Sequence, residues 1–294
     1  IDTTNSFAQQ NGYSLKGNQL MLNAKDRRLL IDFCAPSVFR TRVSWNKNVE
    51  PDEPWMVVKY DWAPVKINVS QEKSNVVVST SQLVIRINSL TLQIEVRTKD
   101  GKLLSSENME GGSFRHGDTI GCRKQMLDNE YFFGFGERMD FLNRRGKKLK
   151  LDVGRGKGQP HITGAYNVLE ANYSPVPFFM STNGYGIFFH NAYPTEWDMG
   201  NSQQNTYSFS AAGGELDYYF IYGPTFPVIM DHYTNIPGKS PLLPLFAYGL
   251  HVGTYSGGTW GYEQFTSDMY VYELAKKLRE MGIPADIIWL DSTW

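Results

Sequence analysis

The sequence predicts a mainly β protein: an N-terminal antiparallel β-sandwich followed by the first strand-helix-strand of a (β/α)8 barrel. Two patterns carry this expectation. Over residues 1 to about 235, short β-branched and aromatic runs alternate with polar residues and are separated by Gly, Asn and Asp turns, as in antiparallel sandwiches. Past residue 240 the apolar period lengthens from two to between three and four, and a strand, a helix and a strand follow in succession. Residues 1–240 therefore read as the sandwich and 241–294 as the truncated start of the barrel.

NVVVSTSQLVIRIN gives two short β-branched runs. The stretch 83–104 carries the clearest alternation: Leu90, Leu92, Ile94 and Val96 interleave with Thr91, Gln93, Glu95 and Arg97, and Asp100-Gly101 supplies a hairpin turn before Leu103 and Leu104. In YFFGFGERMDFLNRRG, Gly134 and Gly136 precede Glu137. The third glycine and the following helix of a dinucleotide fingerprint are missing. The segment reads instead as a strand where another backbone passes closely, then a charged turn. In RRGKKLKLDVGRGKG (144–158) the lysines alternate with Leu149, Leu151 and Val153, which favours a half-exposed strand over a phosphate track. VPFFMSTNGYGIFFHN is a hairpin turning at Asn183-Gly184, and ELDYYFIYG alternates again.

KSPLLPLF is a Pro-punctuated entry to the second region, and AYGLHVG follows as a short apolar strand. From Tyr262 to Met281, Phe265, Met269, Tyr272, Ala275 and Leu278 fall on one helical face. Gly282 stops that helix and Pro284 forbids its continuation. Ile287, Ile288, Trp289 and Leu290 then form a continuous apolar run, the signature of a parallel strand buried on both faces. The two strands of such a βαβ unit should lie parallel. One unit cannot close a sheet, so the remainder of the barrel is expected outside this sequence, and alone the terminal run would stay uncovered.

Composition narrows the function. Hydrophobic residues make up 41% and charged residues 20% of the 294, so the chain is globular. Lys plus Arg is 29 against 30 Asp plus Glu, which argues against a nucleic-acid or anionic-membrane partner. No apolar run approaches the roughly 20 residues that span a bilayer. The 14% aromatic content could supply carbohydrate stacking, but composition alone favours the cores of large β-sandwiches. Cys34 and Cys122 make neither a disulfide framework nor a zinc site, and the five histidines have no metal-ligand spacing, so no metal is expected. The chain begins at Ile1, which leaves a removed leader open; a secreted or periplasmic setting is slightly favoured over a cytoplasmic one. Asp291 ends the second strand of the βαβ unit and Trp260 lies in the loop after the first. In a barrel those positions share one rim, where substrates bind.

Taken together, several stretches resemble glycoside hydrolase family 31, the retaining α-glycosidases. FGFGERMDFLNRRG resembles the family's early Gly-x-Gly-Glu turn, and YNVLEANYSPVPFFMSTNGYGIFFHN its loop and glycine-bearing hairpin. DYYFIYGPTFPVIMDHYTNIPGKSPLLPLFAYG resembles its crossing from sandwich to barrel, and WGY (260–262) with IPADIIWLD (283–291) its first strand-helix-strand. The resemblance runs from about residue 80 to the end.

It implies a β-sandwich packed on a catalytic (β/α)8 barrel, no metal or organic cofactor, and an oligosaccharide or glycoside as partner together with the remainder of the same barrel. The family's nucleophilic and acid/base aspartates lie on later barrel strands, so no catalytic residue is expected in this chain. Retention needs two carboxyls roughly 5–5.5 Å apart. By resemblance, Asp291 matches the Asp that hydrogen-bonds the non-reducing sugar, and Ser292 and Trp260 match positions lining the same pocket. Asn167 falls near an acidic family residue that contacts the leaving sugar, with Glu170 the other candidate. Two departures stand out: TYSGGTWGY lacks the Arg usual after the first strand, and Thr293 stands where α-glucosidases carry a second carboxylate. Both leave α-galactosides or related sugars open beside α-glucosides. The rival from another class is a noncatalytic carbohydrate-binding sandwich, which has no reason to carry a βαβ unit.

Overall fold

The computed structural model describes residues 8–10, 12–46, 51–53, 55–107, 112–138, 141–153, 174–253 and 268–290. They form two compact units, 1–238 and 239–294.

The first unit is built of strands. They run β1 (Ala8–Gln10), β2 (Tyr13–Lys16), β3 (Gln19–Asn23), β4 (Arg28–Ala35), β5 (Val38–Ser44), β6 (Asn68–Glu72) and β7 (Asn75–Ser79). Next come β8 (Leu83–Asn88), β9 (Ile94–Thr98), β10 (Leu103–Ser106), β11 (Ser113–His116), β12 (Thr119–Gln125) and β13 (Phe132–Glu137). The last are β14 (Lys148–Leu151), β15 (Ser174–Ser181), β16 (Tyr185–Phe189), β17 (Thr195–Asp198), β18 (Thr206–Ala211) and β19 (Leu216–Tyr222), followed by helix α1 (Phe226–Thr234).

Among the described residues these strands make a nine-stranded sheet in the order β1-β2-β3-β4-β5-β19-β16-β15-β13 and two five-stranded sheets, β10-β9-β8-β7-β6 and β11-β12-β18-β17-β14. Pairing across β5, β19, β16 and β15 is antiparallel, as in the rest of the unit. One continuous core unites the three sheets. Ile31, Phe39 and Phe220 come from the large sheet, Val78 and Ile85 from the first small one, and Trp197 and Phe209 from the second. The small sheets meet at an isolated bridge between Glu107 and Lys124, so they act as one layer facing the nine-stranded sheet. This is the expected antiparallel sandwich.

Glycine geometry fits the sequence pattern closely in β13. Gly134, Phe135 and Gly136 all have positive φ, and the register with β15 shifts between the two glycines. A Cβ on Gly136 would lie 2.1 Å from the Ser174 carbonyl, and one on Gly134 2.5 Å from that of Phe178. The double glycine is thus a β-bulge against a neighbouring backbone, which drives the Phe135 ring into the core. Hairpin turns at Asp100-Gly101 and Asn183-Gly184 form as expected, with Gly101 at φ +94° and Gly184 at φ +96°. In β14, Leu149 and Leu151 are buried between exposed Lys148 and Lys150, whereas Val153 is exposed rather than inward.

Three expectations need correction. The run 83–104 is not one continuous alternation: Asn88 Oδ1 accepts the amides of Leu90 and Thr91 and closes a turn. Leu90 is consequently 79% exposed and Leu92 takes φ +58° between β8 and β9. In β19 both faces are buried instead of one. The outer face of the large sheet is covered by the segment 55–62 and by α1, around Val57, Ile229 and Ile236. Helix α1 is itself absent from the sequence reading, being only nine residues with Pro near its start. It is held by packing: Ile229 is fully buried, and the Tyr233 ring stacks on Phe178 at 3.9 Å.

In the second unit, β20 (Leu250–Gly253) and β21 (Ala285–Trp289) pair in parallel, and α2 (Asp268–Glu280) lies between them in sequence. The helix ends as Gly282 predicts: at φ +69° it lets Ile283 N–H reach the Leu278 carbonyl while its own N–H reaches that of Arg279. The helix face differs from the expected one. Met269 and Tyr272 are exposed, and Val271, Leu274, Ala275 and Leu278 are the more covered positions; Phe265 lies outside the described residues. Trp289 and Leu290 remain about half exposed. No described helix is long and apolar enough to cross a membrane.

Replacing Gly136 by Ala tests the bulge. The strained φ and the backbone clash should cost about 2–4 kcal/mol in urea unfolding. Gly117, at φ +61° with open space around it, should tolerate Ala at about 1–2 kcal/mol.

Candidate functional site

The strand pair of the second unit sets where the predicted rim begins. Its register ends with Gly253 opposite Trp289, so the C-terminal tips of β20 and β21 are neighbours. The Trp289 indole N–H donates to His251 Nδ1 at 2.9 Å, and His251 Nε2 lies 3.0 Å from the Ala247 carbonyl. Together these bonds assign the Nε2–H tautomer and tie the two strands side chain to side chain. Asp291, Ser292, Trp260, Asn167 and Glu170, the residues the sequence singles out, lie outside the described residues.

The first unit holds a polar centre that sequence reasoning missed. Strand alternation sends Phe39 and Val43 of β5 into the main core, which turns Arg40 and Arg42 outward beside Val38. On β19 the same alternation turns Asp217 outward between Leu216 and Tyr218. The Arg40 guanidinium grips Asp217 with two nitrogens, Nε to Oδ1 at 2.9 Å and Nη2 to Oδ2 at 2.6 Å, and donates its third to Asp52 at 2.6 Å. Arg42 bonds Asp32 at 3.1 Å. His190, just past β16, completes the chain: Nδ1 lies 2.8 Å from Asp217 and Nε2 2.5 Å from Glu53.

Burial opposes charge on all of these groups, and the partners outweigh it. Burial alone would lower the His190 pKa, but the bonds and charges of Asp217 and Glu53 raise it, so both ring nitrogens donate. Burial alone would raise Asp217, but His190 and Arg40 hold it below the usual carboxylate range. Glu53 is lowered despite burial by the backbone N–H of Trp55 and by His190. With each carboxylate occupied by a cation, the cluster acts as a clamp: Asp52 and Glu53 belong to the segment that crosses the outer face, and the cations belong to the sheet. Among the described residues no group of three or more His, Cys, Asp or Glu side chains is placed to hold a metal ion. The available signal was the placement of Arg40 and Arg42 at alternate positions of a strand that also carries Val38, Phe39 and Val43. It does not say which residues 177 positions away would answer them.

The clamp makes stability pH-dependent on both sides. The His190 contribution should be complete below about pH 6.5 and fade as pH rises through its raised folded value. The Asp217 contribution should be complete above about pH 4 and fade as pH falls through its lowered folded value. Urea midpoints from pH 3 to 9 should therefore show an alkaline limb that His190→Gln removes. Asp217→Asn, which removes the buried carboxylate that Arg40 grips with two nitrogens and leaves it with Asp52 alone, should cost about 3–5 kcal/mol at pH 7.

The family model of the glycosyl hydrolase 31 N-terminal galactose mutarotase-like domain matches residues 28–198. An α-glucosidase 2 from Bacillus thermoamyloliquefaciens is 34% identical over 205 residues, covering 68% of this chain and 24% of the relative. The α-xylosidase XylQ of Lactiplantibacillus pentosus is 27% identical over 209 residues, covering 67% and 24%. Among solved structures, a variant of the GH31 dextranase of Flavobacterium johnsoniae complexed with isomaltotriose matches with a TM-score of 0.84 at 32% identity. That match covers 97% of this chain and 34% of the dextranase. The chain therefore spans about a quarter of the length of these curated relatives. With the matched domain lying on the strands of the sandwich, the chain belongs to glycoside hydrolase family 31 and carries that family's N-terminal domain.

Proposed function

We propose that this chain is the N-terminal portion of a retaining exo-α-glycosidase that removes terminal α-linked sugars from oligosaccharides. The observation that carries this is the dextranase match, which extends over 97% of the chain and so reaches beyond the sandwich into the second unit, where β20 and β21 pair in parallel. A free-standing sugar-binding sandwich would have no use for that pair. On this reading β20, α2 and β21 open the catalytic (β/α)8 barrel, and later strands of the barrel cover Trp289 and Leu290 and bring the nucleophile and the acid/base. The relatives act, by their names, on α-glucosides, α-xylosides and dextran. The missing Arg in TYSGGTWGY and Thr293 in place of a carboxylate keep α-galactosides in the set to be assayed.

Within this chain, Asp291 is the proposed substrate-binding carboxylate. In sequence it follows the end of β21 by two residues, and the tip of β21 adjoins that of β20. At a barrel's C-terminal rim a carboxylate accepts hydrogen bonds from sugar hydroxyls. Trp260 and Ser292 are proposed to line the same pocket, and Asn167, or else Glu170, to contact the leaving sugar from the sandwich side.

Asp291→Asn in the whole enzyme tests the assignment. It removes charge-assisted bonds worth roughly 1.5–3 kcal/mol each, so activity on the best aryl α-glycoside should fall by about one to three orders of magnitude. Azide should restore nothing, because Asp291 is not the attacking group. Unchanged kinetics would refute the binding role, and azide rescue with formation of a glycosyl azide would make Asp291 the nucleophile.

A further inference from the structure

A cleft of about 420 Å³ opens on the outer face of the nine-stranded sheet, beside the clamp. Its floor is the outward side of β4 and β5, with Asp32, Arg40 and Arg42, and Tyr219 of β19. Its wall is the segment carrying Tyr60, Asp61 and Trp62. The wall is built in, not draped: Asn18 donates to the Ala63 carbonyl and accepts from Val65 N–H, both at 2.8 Å. Lys59 Nζ stands 4.4 Å over the Trp62 ring and fixes the indole, and the Tyr60 hydroxyl donates to the Glu53 carbonyl.

Two polar atoms beneath this floor have no partner in the protein and are sealed from solvent: the Nε–H of Arg42, whose other nitrogens face Asp32 and Asp52, and the Tyr219 hydroxyl. Both side chains are more than nine-tenths buried, Arg42 at 8% exposure and Tyr219 at 0%. Folded proteins satisfy nearly all buried donors, and an open one is accounted for by strain, by a water or ion, or by a functional role. The lining also defines the chemistry of that group. Asp32, Asp52 and Asp61 against Arg40 and Arg42 give three negative charges and two positive, a net of −1. The guanidiniums already hold carboxylates, so an anion finds no free cation. What remains is a mixture of acceptors, a few donors and four aromatic side chains, Phe33, Tyr60, Trp62 and Tyr219. This suits a neutral polyhydroxylated molecule that hydrogen-bonds through its rim and rests an apolar face on a ring.

We propose that this cleft of the sandwich unit binds a neutral glycan through about one or two pyranose units. The choice of a glycan among polyhydroxylated ligands rests on the glycosidase reading; the cleft, its charge and its unpartnered donors do not.

Binding to the 294-residue chain tests this without any turnover. Glucose, maltose and isomaltose are titrated by saturation-transfer NMR, with inorganic phosphate, followed by phosphorus NMR line broadening, as a second probe. Saturable binding of at least one sugar is expected, weakened at least tenfold by Trp62→Ala. Because Trp62 is partly buried, Asp61→Asn serves as the variant that preserves the wall: its carboxylate is exposed, and a several-fold loss is expected with an unchanged melting curve. No saturable binding of any of the three sugars by the folded chain, binding unchanged in both variants, or phosphate bound more tightly than sugar would each overturn the proposal. Sugar binding at Trp62 in a protein whose barrel hydrolyses no α-glycoside would leave this site standing and the glycosidase reading refuted.

Discussion

The sandwich depends on the ion pair between Arg40 and Asp217. These residues come from adjacent strands, β5 and β19, that are 177 positions apart in sequence, and their contact closes the nine-stranded sheet at its centre. The pair fixes register as well as proximity. In the observed pairing, Arg42 faces Asp217 and Arg40 faces Tyr219, with every charge outward and Phe39 and Phe220 stacked in the core at 5.1 Å. A slip of one residue in either strand would turn its charges inward among those rings. Buried ion pairs add little net stability compared with apolar substitutes, but a misplaced charge costs several kcal/mol. The consequence is specificity of pairing, imposed by the penalty on every alternative.

The same logic recurs where the two small sheets meet. Lys124 is 1% exposed, and its ammonium lies 3.2 Å from Glu107 and 3.2 Å from the Tyr218 hydroxyl of the opposite layer. Burial would lower the Lys124 pKa, but the negative and polar groups around it raise it well above the usual value. The Glu107 backbone bridges to Lys124 at this point, so one pair of residues joins the small sheets edge to edge and touches the large one. Two buried charge pairs thus organise the sandwich: one joins the small sheets at the seam inside the core, and the other joins two strands of the large sheet on its outer face.

Features governed by local chemistry were legible in the sequence. Asp100-Gly101, Asn183-Gly184, Gly134 with Gly136, and Gly282 each announce a backbone conformation that few other residues adopt, and each performs that task. Leu149 and Leu151 sit on the buried face that their alternation indicates. Features governed by a distant partner were not. Whether β19 is covered on one face or two depends on the segment 55–62 and on α1, which strand alternation alone does not reveal. Nor does a pattern of apolar residues distinguish Met269 and Tyr272 from Val271 and Leu274 when both sets recur at helical spacing. Asn88 broke the run 83–104 through a side-chain bond to Leu90 and Thr91, a signal visible in the sequence only as an Asn among alternating residues. The clamp eluded the sequence because its members, from Asp32 to Asp217, converge only through tertiary structure.

Family membership fixes the N-terminal domain, and the chemistry is proposed to belong to a barrel that β20, α2 and β21 open. A retaining glycosidase forms a covalent glycosyl-enzyme and then hydrolyses it, so two inversions at the anomeric carbon restore the starting configuration. The most direct measurement is proton NMR of the first product released from an aryl α-glycoside by the whole protein, recorded before mutarotation sets in. The α-anomer should appear first and the β-anomer grow in later; the β-anomer appearing first would contradict the account.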